Sequence, residues 1–270
     1  QHPPQSPRLP RPLALGAVGL MTWQMTCRFE ENTMHLIFDI ETIPSQHPDA
    51  KAQARASIKP PGTLKKPESI AAWWDNEADT ATEEAYRRQS LDGGLAGEIV
   101  SIAAVTGNGR EWVHCRPQGE SEAALLAAFG EQVSRWIDDD ARAVADGFNY
   151  AQDPYLIAHN AAFDLGFLWR RCIVNRVRLP FKVPTPSARA GKDYGDTMLT
   201  WAGYGNRVSL DALTRALGIP SPKDGGMDGA GVFDAWQAGR CAEIAAYNLR
   251  DAVATAEAWH RLNGGGAWQD

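Results

Sequence analysis

The stretch that most constrains this chain is His35–Pro44, HLIFDIETIP. Leu36, Ile37 and Phe38 are apolar and strand-prone, and two carboxylates, Asp39 and Glu41, follow at once. Alternate side chains of a strand share a face, so Asp39 and Glu41 project together from one side. On a buried strand two neighbouring anions are costly unless a cation lies between them. A divalent metal ion is the simplest such cation. Pro44 cannot donate to a ladder and marks the strand's end. Asp-x-Glu is common by chance, so the stretch acquires meaning only from what other segments bring to it.

A chain of 270 residues with 44% hydrophobic content can bury one large core or two small ones, and a single domain with insertions is expected. No uncharged apolar run of about 18 residues appears, so no membrane partner is expected. The net charge of −6 argues against a uniformly basic nucleic-acid coat, but it leaves room for a basic groove beside an acidic site. Cys27, Cys115, Cys172 and Cys241 are far apart, with no Cys-x-x-Cys pair. They read as reduced thiols of a cytoplasmic protein. Residues 1–33 open rich in Pro and Arg and continue into a short apolar run, Leu13–Met21. That run is weak for a secretory signal, and the segment is expected to be a disordered or loosely packed extension.

The remainder, 34–262, divides by its patterns, with 263–270 left as a tail. A polar insertion at about 45–97 reads as helical: one helix stopped by Pro60-Pro61, a second capped by Ser69 and carrying Trp73 and Trp74, a third over 80–89. Lys59, Lys65 and Lys66 in it are either a solvated surface or a phosphate-contacting edge. EIVSIAAV and REWVHCR are strand-like and joined by Thr106-Gly107-Asn108-Gly109, where Asn-Gly signals a hairpin. With the first strand they form a three-stranded antiparallel unit. A helix is expected over 120–137, ending at Asp138-Asp139-Asp140 as a solvated terminus. In YLIAHNAAFDLGFLW a short strand passes through His159-Asn160 into a helix with Asp164 in its first turn. Asn160 is there either a helix cap or part of a site at the strand's carboxyl end. Ser209 caps a helix to Leu217, and a last long helix runs from about Gly239 to Leu262, with Tyr247 and Asp251 four apart on one face.

FDIET, HNAAFD and YNLRD, in that order, resemble the three motifs of the DEDD superfamily of 3′-5′ exonucleases. The tyrosine four residues before the last aspartate matches the DEDDy branch, which includes the proofreading domains of family B DNA polymerases. The histidine branch would need its histidine at position 246, which is alanine. The chain is most similar to predicted stand-alone exonucleases related to those proofreading domains. Asn248 stands where cysteine would be expected; on a helix it faces away from Tyr247, and the departure puts nothing catalytic in doubt.

The resemblance implies an α/β, RNase H-like mixed sheet, three antiparallel strands plus parallel ones, flanked by helices. It also implies two divalent ions, Mg²⁺ or Mn²⁺, which suit an all-oxygen ligand set. Asp39 would bridge both, Glu41 and Asp251 would hold one, and Asp164 would help to hold the other. Tyr247 would orient the attacking water. The expected partner is nucleic acid, above all single-stranded DNA 3′ ends, with RNA as the alternative. A catalytically decayed binding module is the competing reading of another class. His159, Asn160, Phe163 and Lys223 are the candidate substrate contacts.

Overall fold

The computed structural model describes residues 33–143 and 153–264. Expectations for 1–32, including Cys27, and for 265–270 fall outside these. Among the described residues a five-stranded sheet has the order β3-β2-β1-β4-β5. It is built from β1 (His35–Ile43), β2 (Glu98–Thr106), β3 (Glu111–Cys115), β4 (Tyr155–Ala158) and β5 (Gly195–Asp196). β1, β2 and β3 pair antiparallel, whereas β4 joins β1, and β5 joins β4, in parallel. The fold is therefore α/β with a mixed sheet, as expected. The Asn-Gly hairpin is present: Gly109 takes a positive φ of 84°, and the Thr106 amide closes onto the Arg110 carbonyl at 2.9 Å.

Helices cover both faces. Leu36, Phe38 and Ile40 of β1 point into a core with Leu125, Phe129 and Val133 of α4 (Glu122–Ala143) and Leu165, Phe167 and Leu168 of α5 (Ala161–Val174). The odd-numbered residues of β1 face α9 (Cys241–Leu262) instead. Ile37 packs with Ala252 and Trp259, and Ile43 with Ile244 and Tyr247. Asp39 and Glu41 lie between these two apolar positions on the same side of the strand. β2 keeps its alternation except at one step. The register slips between Glu41 and Thr42, so Val100 and Ser101 both turn toward the α9 side.

The insertion forms α1 (Ala50–Ser57), α2 (Pro67–Asn76) and α3 (Ala78–Arg87), followed by a 3₁₀ turn at Arg88–Leu91. α2 begins at Pro67, not beyond a Ser69 cap, because proline is pre-set for a first helical position, where its missing N–H costs nothing. α4 runs through the acidic triplet to Ala143, and Asp140 there pairs with Arg110 at 2.8 Å. α6 (Thr197–Ala202), α7 (Leu210–Leu217) and α8 (Val232–Gln237) complete the α9 side, and Ser209 caps α7 through the Ala212 amide. No helix among the described residues is long and apolar enough to cross a membrane. Cys115, Cys172 and Cys241 are free thiols.

Candidate metal centre

The site forms where β1 outruns its neighbour. β1 stays paired with β2 along its length, but its pairing with β4 ends at Ile37 and Ile157. The far half of β1 therefore has free backbone groups on the β4 side, at the carboxyl end of a parallel strand, where open α/β sheets place their ligands. The Ile40 amide, left without a strand partner, donates to Asp164 Oδ1 at 3.2 Å. Asp164 is thereby fixed from α5 against the residue between Asp39 and Glu41.

On the opposite side α9 delivers Asp251. One carboxylate oxygen each from Asp39, Glu41 and Asp251 lie within 4.8 Å of one another. Glu41 and Asp164 are buried, at 9% and 4% exposure, and Asp39 and Asp251 are partly exposed. None of the ion pairs among the described residues includes any of the four.

The electrostatics follow. Desolvation pushes the Asp39 carboxyl well above its ordinary range, and the charges of Asp164, Glu41 and Asp251 push it further. Glu41 is raised by burial and then by Asp251 and Asp164. Burial raises Asp164 too, against the opposing amide of Ile40. Asp251 is pushed up to about 6 by burial, held back by the Tyr247 hydroxyl and by the charges of Arg250 and Lys223. Burial first, then Glu41 and Asp251, raise the Tyr247 phenol, which donates to Asp251. Oxygen donors only, mutual repulsion and no basic side chain in ion-pair contact among the described residues fit a hard divalent cation such as Mg²⁺ or Mn²⁺, and suit zinc or copper poorly.

Two of the expected contacts sit differently from their reading. His159 has both ring nitrogens engaged inside the protein. Nε2 donates to the Val208 carbonyl at 3.0 Å, so Nδ1 accepts from the Thr197 hydroxyl at 2.9 Å. Burial lowers its pKa, and the neutral ring has no nitrogen left for a nucleotide. Asn160 occupies the cap position of α5 with left-handed φ of 60°, yet its side chain caps nothing there. Asp196 at the end of β5 accepts from the Asn160 and Ala161 amides at 3.2 and 2.9 Å, and from Leu199 at 3.1 Å. Asn160 and Lys223 are exposed, and half-buried Phe163 lies tilted against Phe167 at 5.1 Å.

Asn248 touches the acidic cluster itself, a contact that its placement relative to Tyr247 does not reveal. It is fully buried; its Nδ2 donates to Asp39 Oδ2 at 2.6 Å, and its Oδ1 accepts from Ser101 Oγ at 2.8 Å. Its spacing from Asp251, three residues or nearly one helical turn, is the signal that would have found it.

A family model described as "Predicted 3'-5' exonuclease related to the exonuclease domain of PolB" matches residues 99–264. The chain belongs to this family. The match runs from β2 through α9 and so contains Asp164, Tyr247 and Asp251, while Asp39 and Glu41 join them through the fold. Comparison with curated proteins finds no match. Among solved structures, the chain is similar to the family B DNA polymerase from the hyperthermophilic archaeon Pyrobaculum calidifontis, at 15% identity and a TM-score of 0.48. The similarity covers 85% of this chain and 24% of the polymerase, so this member of the predicted exonuclease family spans about a quarter of that protein's length.

Proposed function

We propose that this chain is a metal-dependent 3′-5′ exonuclease acting on single-stranded DNA ends. The observation that carries the reading is the convergence of Asp39, Glu41 and Asp251 on one point, with no protein cation among them. Asp39, Glu41 and Asp251, completed by Asp164 from α5, would hold two Mg²⁺ or Mn²⁺ ions. When bound, such ions stabilise developing charge on the phosphate and leaving oxygen and lower the pKa of an attacking water.

The chain's own residues position the reactants. The Tyr247 phenol, with its pKa raised, stays neutral across the physiological range, so it orients a water and does not take its proton. Lys223, exposed and close enough to influence Asp251, is placed to meet a substrate phosphate. Phe163, half-buried, offers its ring to a terminal base, and Asn160 an exposed polar residue at the start of α5. A recessed cluster of this kind admits a terminal nucleotide only when it is unpaired.

The test is a 5′-labelled single strand incubated with the protein and Mg²⁺ or Mn²⁺. A ladder of shortened products, abolished by EDTA and by Asp39→Ala, is expected; a strand left intact with either metal overturns the reading. Faster shortening of a matched RNA would replace DNA by RNA as substrate. Tight DNA binding without cleavage would make the chain a binding module.

A further inference from the structure

Asn248 meets the acidic cluster directly, at Asp39, and the orientation of its amide follows from its two partners. With Asp39 ionised, as holding a cation requires, its Oδ2 is an acceptor, and the group facing it at 2.6 Å is the amide nitrogen. The amide oxygen is then turned to Ser101, whose hydroxyl donates to it at 2.8 Å. Ser101 is in turn the cross-strand partner of Glu41. The chain Ser101–Asn248–Asp39 links β2, α9 and β1, and both Ser101 and Asn248 are fully buried. Ser101 faces this side in step with Ala103 and Val105, and the extra residue of the bulge is its neighbour Val100.

We propose that Asn248 is a positioning residue for metal binding: its amide fixes the Asp39 carboxylate in the orientation that receives a divalent cation. The inference rests on the reading of the cluster as a metal centre and deepens it. The residue type is what makes the argument specific. A lysine or arginine at 248 would hold Asp39 equally well but would neutralise it, taking the place of the ion. An aspartate would add a further repelling charge. An amide donates one hydrogen bond, leaves the carboxylate's charge for the cation, and is itself held by a second bond that stops it rotating away. Groups that hold a ligand from behind in this manner typically change metal affinity by about 10- to 100-fold when removed.

The experiment measures Mn²⁺ binding to the full chain by calorimetry and by the resonance signal of free Mn²⁺, without nucleic acid, at a temperature where each protein is folded. Asn248→Leu, which keeps the volume and removes the donor, is expected to bind Mn²⁺ about 10- to 100-fold more weakly than the parent. Ser101→Ala, which leaves the donor but frees it to rotate, is expected to show a smaller loss in the same direction. A folded Asn248→Leu protein with the parent's Mn²⁺ affinity overturns the proposal. If that variant does not fold, Ser101→Ala decides: weakened binding supports the proposal and unchanged binding overturns it. A parent that binds no Mn²⁺ removes the metal centre and this inference together. A parent that binds Mn²⁺ but cuts no DNA sinks only the proposed activity.

Discussion

Glu122 and Glu41 are both buried glutamates, 5% and 9% exposed, and their surroundings are opposites. Glu122 opens α4 and is saturated by the protein: Arg171 grips it through Nε at 3.0 and 2.9 Å and through Nη2 at 2.6 Å. The Ile99 amide and Asn175 Nδ2 add bonds of 2.7 Å each. Glu41 lies among three other carboxylates with no cation in contact. A folded protein that supplies five hydrogen bonds to one buried acid and leaves four others to repel one another is solving two different problems. The first acid joins a helix start, a strand and a second helix; the second group is complete only with something from solvent.

The strongest way to break this contrast is to neutralise a member of the open cluster. Asp39→Asn should lower the rate of nucleotide release by about 10³-fold, since metal-borne charge stabilisation is worth several kcal/mol and each 1.36 kcal/mol is tenfold. The same substitution should raise the melting temperature in EDTA, because one repelling charge is gone; a fall there would show that Asp39 is structurally neutralised after all. At the closed site the effect on stability reverses. Arg171→Met should cost about 3–5 kcal/mol in urea unfolding, leaving a buried charge without its partner, and adding Glu122→Gln should recover part of it.

The pH dependence sharpens the comparison. The cluster carboxylates have folded pKa values above their unfolded ones, so the folded state binds more protons and stability falls as pH rises. Their stabilising effect is fully present below the unfolded carboxylate range near 4 and is lost for Asp251 as pH passes through about 6. Mn²⁺ should cancel that loss, giving a melting gain that grows between pH 5 and pH 8, of about 2.7 kcal/mol at a hundredfold excess over the dissociation constant. A gain that shrinks with pH would contradict the cluster's assignment. The smallest effect belongs to an exposed pair: Lys51→Met, which removes the 2.9 Å contact with Glu83, should change stability by less than about 1 kcal/mol.

Much of this arrangement is legible in the sequence because its signals are local. Asn-Gly marks the hairpin, Ser209 the start of α7, and strand parity puts Asp39 beside Glu41. The motif order brings Asp164 and Asp251 to them without any measured distance. What escapes is set by contacts between remote segments. The cap of α5 comes from Asp196, which lies 36 residues beyond Asn160, and no local pattern announces it. In sequence Asn248 stands beside Tyr247, about 100° away around the helix, whereas its relevant neighbour is Asp251, about 60° away. His159 reads as available in the sequence because the two groups that occupy its nitrogens, Thr197 and Val208, lie 38 and 49 residues further on.

The two ends of α5 are clamped by acids belonging to other parts of the chain, Asp196 at its first turn and Glu122 at its last. In mechanical terms the helix is a beam pinned at both supports, with Asp164 mounted near one of them. Loosening either support lets the beam slide along its axis, so a lesion far from the acidic pocket, in the segment leading into β5 or at the head of α4, would detune it while every residue of the pocket stayed intact.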